Sequence, residues 1–430
     1  MATRRLPETP GLLARLATVG MAAALVACAP SQEPSASSGS IPTTSAARTA
    51  AAPSGPPVLG IDWGRSNPVE RPEDFSYATE PPLSTGTGRS GHPLHFPGQA
   101  MMADVARLPG GGFVSVGYAY PGWHPVAWTS TDGTTWSIHS LGSADFTFPV
   151  SLAVESSGTV VAVGRSGSRP VAWTSRDGAS WAEHDVPILG DGKAAERMTT
   201  VLARADGFVA GGSVGPELFE RHARLWTSSD GAKWQPVADE SDAFADAEVR
   251  SIADTGHGLV AVGLVGTAQR STGSVAWTSD DGRTWKRVDD PALATGRAVA
   301  VLPAPFGGLV AVGSDLDEHE AFAWTSPDGR TWTRAPSEPS RQYHGKIRMT
   351  DVTAVGSQLI AVGNYVGLQR GTAISWVSDD GMHWREARSA PVQEQGEIYA
   401  VTPGGPGLIA VGSFGAPDDY IPTVWLSPTP

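Results

Sequence analysis

The segment Val126–Trp136 reads VAWTSTDGTTW, and five close copies follow. They are VAWTSRDGASW (Val171–Trp181), RLWTSSDGAKW (Arg224–Trp234), VAWTSDDGRTW (Val275–Trp285), FAWTSPDGRTW (Phe322–Trp332) and ISWVSDDGMHW (Ile374–Trp384). A catalytic side chain is needed once, not at six equivalent places. Local chemistry points instead to scaffolding. An Asp side chain accepts from backbone N–H groups just after it, Ser does so more weakly, and Gly tolerates positive φ. The Trp behind the turn buries a large ring. Asp132, Asp177, Asp230, Asp281, Asp328 and Asp380 are therefore read as structural turn residues.

Around each copy the chain repeats itself. A line of the type GLVAVG closes on Gly117, Gly164, Gly212, Gly263, Gly313, Gly363 and Gly412, a period of 47 to 51 residues. Each unit reads as a short strand, a Gly turn, a strand ending in the glycine, a strand ending in Trp-Thr-Ser, the Asp-Gly turn, and a strand opening with Trp. Alternating Val, Ile and Trp between Gly and Asp turns is strand chemistry, and no long helical period occurs. Seven such units predict an all-β chain, a seven-bladed β-propeller of four-stranded antiparallel blades.

The tryptophans test that count. Of the 15 in the chain, seven end third strands (Trp128, Trp173, Trp226, Trp277, Trp324, Trp376, Trp425) and six open fourth strands (Trp136, Trp181, Trp234, Trp285, Trp332, Trp384). The last unit stops at VWLSPTP with no fourth strand, while GIDWGRSNPVE, with Trp63, stands alone before the first. The N-terminal piece is expected to complete the last blade and close the ring, removing an exposed sheet edge. Only Trp123 belongs to neither series.

The N-terminus reads as a targeting segment. Arg4, Arg5 and Arg15 precede the apolar run LATVGMAAALVA, which ends in LVAC at Cys28. This resembles a bacterial lipobox, which implies a signal peptide over residues 1–27, lipidation at Cys28 and anchoring to the outer face of the cytoplasmic membrane or to the outer membrane. Residues 29–57, rich in Ser, Pro, Ala and Thr, lack the apolar bulk to order themselves and make 28–57 a tether. The propeller takes 58–430. Cys28 is the only cysteine, so the mature chain is expected to use no thiol chemistry, cysteine metal site or disulfide. Charged residues make up 17% and the net charge is −13, so a nucleic-acid partner is not expected.

The repeated Ser-x-Asp-Gly-x-x-Trp strings resemble the Asp-box (BNR) repeats of sialidase-like propellers, shortened by one residue between Asp and Gly. The resemblance covers roughly residues 100 to 430. It implies the fold, and it implies activity only where catalytic residues are present, because Asp boxes also occur in non-enzymatic secreted propellers. A sialidase would need an Arg-Ile-Pro motif on the first inner strand, three carboxylate-gripping Arg, an Asp and a Tyr–Glu pair. The nearest string, Arg107–Pro109 (RLP), lies at the far end of its strand, and the sequence singles out no Tyr–Glu pair.

Loop lengths say where function sits. The Asp-Gly turns have one length, whereas the gap from blade glycine to third-strand Trp runs from 9 to 14 residues, and fourth-to-first connections vary as well. Both variable sets share one face of an up-and-down propeller, and recognition belongs on variable loops held by a rigid scaffold. Four residues before the central apolar residue of each inner strand stand Met101, Phe148, Arg197, Glu248, Arg297, Arg348 and Glu397. These are expected to ring the channel mouth. Arg197, Arg297 and Arg348 could grip a carboxylate or sulfate, or pair with Glu248 and Glu397 across blades. Trp123, Tyr120 and Tyr343 are candidates for stacking on a sugar or partner. Asp315, Asp317, Glu318 and Glu320 are candidate oxygen ligands for Ca²⁺, the one cofactor considered. The expectation is a monomeric, non-catalytic lipoprotein binding a protein or glycan on its loop-rich face. The alternative is a sialidase-like or other glycan-cleaving exo-enzyme.

Overall fold

The computed structural model describes residues 99–120, 122–188, 194–215, 221–237, 242–266, 270–336, 345–366, 371–387, 396–405, 407–414 and 420–428, together with the backbone of Gly64 and Arg65. Cys28, the tether, Trp63 and Tyr343 fall outside them. Residues Gly55–Pro430 form one compact unit. The described strands make seven sheets of four, each antiparallel, and among the described residues helix is confined to two 3₁₀ turns, Asp242–Phe244 and Leu293–Thr295. The chain is a seven-bladed β-propeller.

The innermost strands are Ala100–Arg107, Thr147–Val154, Glu196–Arg204, Ala247–Asp254, Gly296–Pro303, Lys346–Val355 and Gly396–Gly404. Each touches the next, and the last touches the first, so they surround a central channel. Each blade's strands follow in chain order from centre to rim. In blade 7 the outer position is taken by Gly64 and Arg65, paired with Leu426 and Trp425.

The core is divided into seven wedges, each between two neighbouring blades. One wedge sets Trp277 and Trp285 of blade 4 against Val209, Ala223 and Leu225 of blade 3. Another sets Trp128 and Trp136 of blade 1 against Ile409, Val411 and Val424 of blade 7. The period-2 alternation of the second strands produces this. Val114 and Val116 face blade 2, while Phe113, between Val114 and the turn, faces blade 7. A large face on each blade meets a smaller Val/Ala face on its neighbour, which lets wedge-shaped blades interdigitate at crystal-like density. Six of the seven third-strand tryptophans are 0% exposed, and Trp376 is 7% exposed.

The six Asp-Gly turns are built alike. In the first, Asp132 Oδ1 accepts from the N–H groups of Thr134 (2.7 Å) and Thr135 (3.2 Å). Ser130 Oγ accepts from Gly133 N–H at 2.8 Å, and Trp136 Nε1 donates to the Gly133 carbonyl at 2.9 Å. The fifth copy repeats this with Asp328 accepting from Arg330 and Thr331 at 2.8 and 3.1 Å. These bonds hold Asp132, Asp177, Asp281 and Asp380 down to about 2, and lower Asp230 and Asp328 as well. The turns also join blades. A Cβ on Gly231 (φ +75) would meet Val161 Cγ2 of the preceding blade at 2.3 Å, and one on Gly329 would meet Val260 Cγ2 at 2.5 Å.

The blade glycine differs from expectation. It does not end its strand but sits inside it, as in Phe113–Ala119 and Leu309–Asp315. Opposite it every inner strand carries a β-bulge, for example between Met102 and Asp104 and between Ala298 and Ala300. The bulge pushes a carbonyl into the space a side chain would need. A Cβ would lie 1.9 Å from the Met101 oxygen at Gly117, 1.8 Å from the Arg297 oxygen at Gly313 and 1.9 Å from the Glu397 oxygen at Gly412. Glycine is required here by close approach, not by φ.

Gly313→Ala is accordingly expected to destabilise the fold by about 3 kcal/mol or more, since neither backbone can yield cheaply. Chemical denaturation would measure it, against Gly307→Ala in an open turn. Deleting residues 58–66 is expected to lower the melting temperature by several degrees, because it removes the strand paired with Leu426 and Trp425. An unchanged melting temperature would show that the wedge between blades 7 and 1 closes the ring by itself.

Candidate functional site

The bulge decides which inner-strand residues face the channel. Without it, residues four apart on a strand share a face. With one residue inserted, Met102 and Val105 point into the core while Met101, Ala103 and Asp104 line the channel. The same holds for Arg297, Val299 and Ala300, and for Arg348, Thr350 and Asp351. The channel and its mouth enclose about 730 Å³.

The mouth has two unlike halves. Blades 3 to 6 supply cations. Glu248 is 3% exposed and is held by Arg221 on Oε2, by Ser213 Oγ at 2.9 Å on the same oxygen, and by Arg250 Nη1 on Oε1 at 2.9 Å. Burial opposes its ionisation, yet the charges of Arg250, Arg221 and Arg197 outweigh burial and keep it below the usual carboxylate range. Glu318, 4% exposed, sits within 3.7 Å of Arg297, 3.5 Å of Arg348 and 3.1 Å of Lys346. It too is lowered, burial being outweighed by Arg348, Lys346 and Arg297. Burial in turn lowers Arg297, against Glu318, and the neighbouring charges of Arg250 and Arg348 add to the effect.

Blades 1 and 2 supply rings. Trp123 packs edge-on against Tyr120 (4.7 Å) and Tyr118 (5.4 Å), and Tyr118 packs on Phe148 (5.0 Å). Arg165 lies over the Phe148 ring at 4.3 Å. Trp123 adopts φ 62, a costly conformation for a bulky residue. In blade 7 the Tyr399 hydroxyl donates to Glu397 Oε2 at 2.7 Å. Burial and that carboxylate push the phenol well above its ordinary range.

Several expectations change. Arg297 and Arg348 do converge, but on Glu318. Arg197 belongs to the Glu248 group, and the third arginine beside Arg297 is Arg250. Glu397 pairs with Tyr399, not with an arginine. The acidic loop does not gather its oxygens for a metal. Glu318 turns inward to cations, Glu320 pairs with Arg334 at 3.1 Å, and Asp315 Oδ1 accepts from Glu320 N–H at 3.0 Å. No cluster of three or more His, Cys, Asp or Glu suited to a metal ion occurs among the described residues. Arg107 lies exposed at the far end of its strand. Among the described residues no helix is long and apolar enough to cross a membrane.

Sequence reasoning missed Arg250 and Tyr399 because both occupy the bulge position, which has no counterpart in a strict period of two. It also missed Asp104 and Asp351, one residue further on. Their carboxylates stitch blades together: Asp104 Oδ2 accepts from Leu152 N–H and Asp351 Oδ2 from Val401 N–H, each at 2.8 Å. Burial in the channel wall raises them to about 6 and about 7, and the charge of Asp104 adds to the shift at Asp351. Since the folded form holds its proton more tightly than an unfolded Asp near 4, the stabilisation is complete below pH 4 and lost as pH rises through 6 to 7. Replacing Asp351 by Ala, the residue at the equivalent position of blades 5 and 7, is expected to flatten the decline in melting temperature between pH 5 and pH 8. An unaltered slope would rule this out.

A family model described as the DUF6242 beta propeller domain matches residues 118–302. No curated protein matches the chain. Among solved structures, one titled "YCF48 bound to D1 peptide" is 14% identical with a TM-score of 0.51, and the match covers 77% of this chain and 93% of that one. A Trypanosoma rangeli sialidase in complex with sialic acid is 13% identical with a TM-score of 0.47, covering 86% of this chain and 59% of the sialidase. At this identity the likeness to YCF48 is one of fold.

Proposed function

We propose that this protein is a lipid-anchored, exported binding module whose propeller captures a protein or glycan ligand, without chemistry, at the channel mouth on its loop-rich face. The anchor is Cys28 and the working form is a monomer on a flexible tether. One observation carries the binding reading. Six cations (Arg197, Arg221, Arg250, Arg297, Lys346 and Arg348) gather around two buried carboxylates, in a chain whose net charge is −13. An excess of positive charge concentrated in a concave site of an acidic protein favours anionic groups and steers them in. Tyr118 and Phe148, packed against Tyr120 and Trp123, supply aromatic surface to the same cavity. Peptide capture by a propeller has a precedent in the peptide-bound YCF48 structure.

A second reading is favoured by one pair. Tyr399 and Glu397 share a short hydrogen bond, and Tyr399 lines the cavity, an arrangement in which a carboxylate could activate a phenol for glycan cleavage. Tyr399→Phe separates the readings. Release of a fluorescent leaving group from acidic glycosides by the wild type, abolished in Tyr399→Phe, would establish an enzyme; no release establishes the binding module.

Thermal shift of the full chain against sialic acid, galacturonic acid, neutral glycans and acidic peptides tests binding. The expected result is a rise in melting temperature with anionic compounds only. It should shrink as salt is raised and be lost in Arg297→Ala and Arg250→Ala. A rise with neutral glycans that survives both substitutions would move the site to the aromatic half.

A further inference from the structure

Glu318 reaches the cation cluster in an unusual way. It comes from the connection between the second and third strands of blade 5, after Leu309–Asp315, while the arginines stand on inner strands. Its φ is +60, a left-handed conformation that costs about 1 kcal/mol for a residue with a side chain. Its main chain is docked: its N–H donates to the Asp315 carbonyl at 3.2 Å, and its carbonyl accepts from Ile347 N–H at 2.6 Å. That second bond ties it to the start of the blade 6 inner strand, between Lys346 and Arg348.

The charge match is good but the geometry is loose. A charge-assisted hydrogen bond to carboxylate spans about 2.7–2.9 Å and arginine prefers a two-pronged grip. Arg297 and Arg348 stand 3.7 and 3.5 Å from a single oxygen of Glu318, whereas Arg250 meets Glu248 at 2.9 Å. Glu318 therefore neutralises the cluster without making the bonds its arginines are shaped for. Arg348 and Lys346 remain 36% and 64% exposed, open to an incoming anion.

We propose that Glu318 is a built-in stand-in for a ligand glutamate, and that an acidic peptide segment displaces it to bind Arg297, Arg348 and Lys346, with Arg250 alongside. This rests on the binding reading above and names its ligand class and its regulation. The present occupant argues for a peptide over a glycan: it is a glutamate side chain whose backbone carbonyl is bonded beside the cluster. An acidic peptide can reproduce both contacts, and it forms bidentate pairs that the strained loop does not. The loop thus grades its ligands: an anion with one carboxylate competes weakly with it, and a segment with several carboxylates displaces it.

The test is fluorescence anisotropy of labelled hexaglutamate with the full chain, with oligogalacturonate as competitor. Glu318→Gln removes the charge and keeps the bulk, and Glu318→Gly removes the side chain in a conformation that suits glycine. Both variants are expected to bind hexaglutamate about tenfold tighter than the wild type, a difference of about 1.4 kcal/mol. Adding Arg297→Ala should erase the gain. Wild-type binding that is unchanged or weaker in both variants, with circular dichroism showing them folded, would overturn the stand-in while leaving the binding reading intact. A gain seen only for oligogalacturonate would overturn the peptide assignment. No binding of either probe by any form would overturn both readings.

Discussion

A Cβ has no room at seven equivalent positions of this chain, and most of the architecture follows from that. Each blade glycine lets a bulged inner strand lay a carbonyl against its neighbour, as Gly313 does for Arg297. The bulge adds one residue, so the face of the strand switches midway. Residues on both sides of the switch reach the channel, while Met102, Met198 and Ile398 remain in the wedges between blades. The channel therefore receives more side chains per strand than a regular ladder would give it. This is how Arg297, Arg250 and Tyr399 come to share one cavity wall or its rim.

The scaffold and the site use opposite physics. The wedges are apolar and redundant, with large rings set against small side chains seven times over, and the Asp-Gly turns fasten each blade to the one before it. The mouth is polar and asymmetric. Burying Glu248 and Glu318 costs desolvation, which only closely placed cations offset, so removing either partner would leave an uncompensated charge. A purely structural channel would more cheaply be lined with the Ala and Val found at Ala103, Val150 and Val299.

Glu318 shows how a residue can look like one thing in sequence and do another in space. In the string SDLDEHE it reads as one of four acids available to a cation. The left-handed turn at Glu318 separates it from its neighbours and sends it to arginines 21 and 30 residues away in the chain. Arg197 changes role similarly: it sits at the same strand position as Arg297, yet Glu248 draws it to the neighbouring group.

The sequence by itself determined the repeat, the strand count and the blade to which each described third- and fourth-strand Trp belongs. These properties depend on local turn chemistry and on a period of two, both written in adjacent residues. It also located the ring of Met101, Phe148, Arg197, Glu248, Arg297 and Arg348, because a repeat carries one position faithfully from blade to blade. Only the tertiary structure decided which charges meet. Arg250, Tyr399, Asp104 and Asp351 were hidden by a bulge that leaves no mark in apolar alternation, and the glycine that accompanies it reads as a turn residue. The pairing of Glu318 with Arg297 and Arg348, and of Tyr399 with Glu397, depends on blade radius and loop path, which are set by the packing of the whole ring.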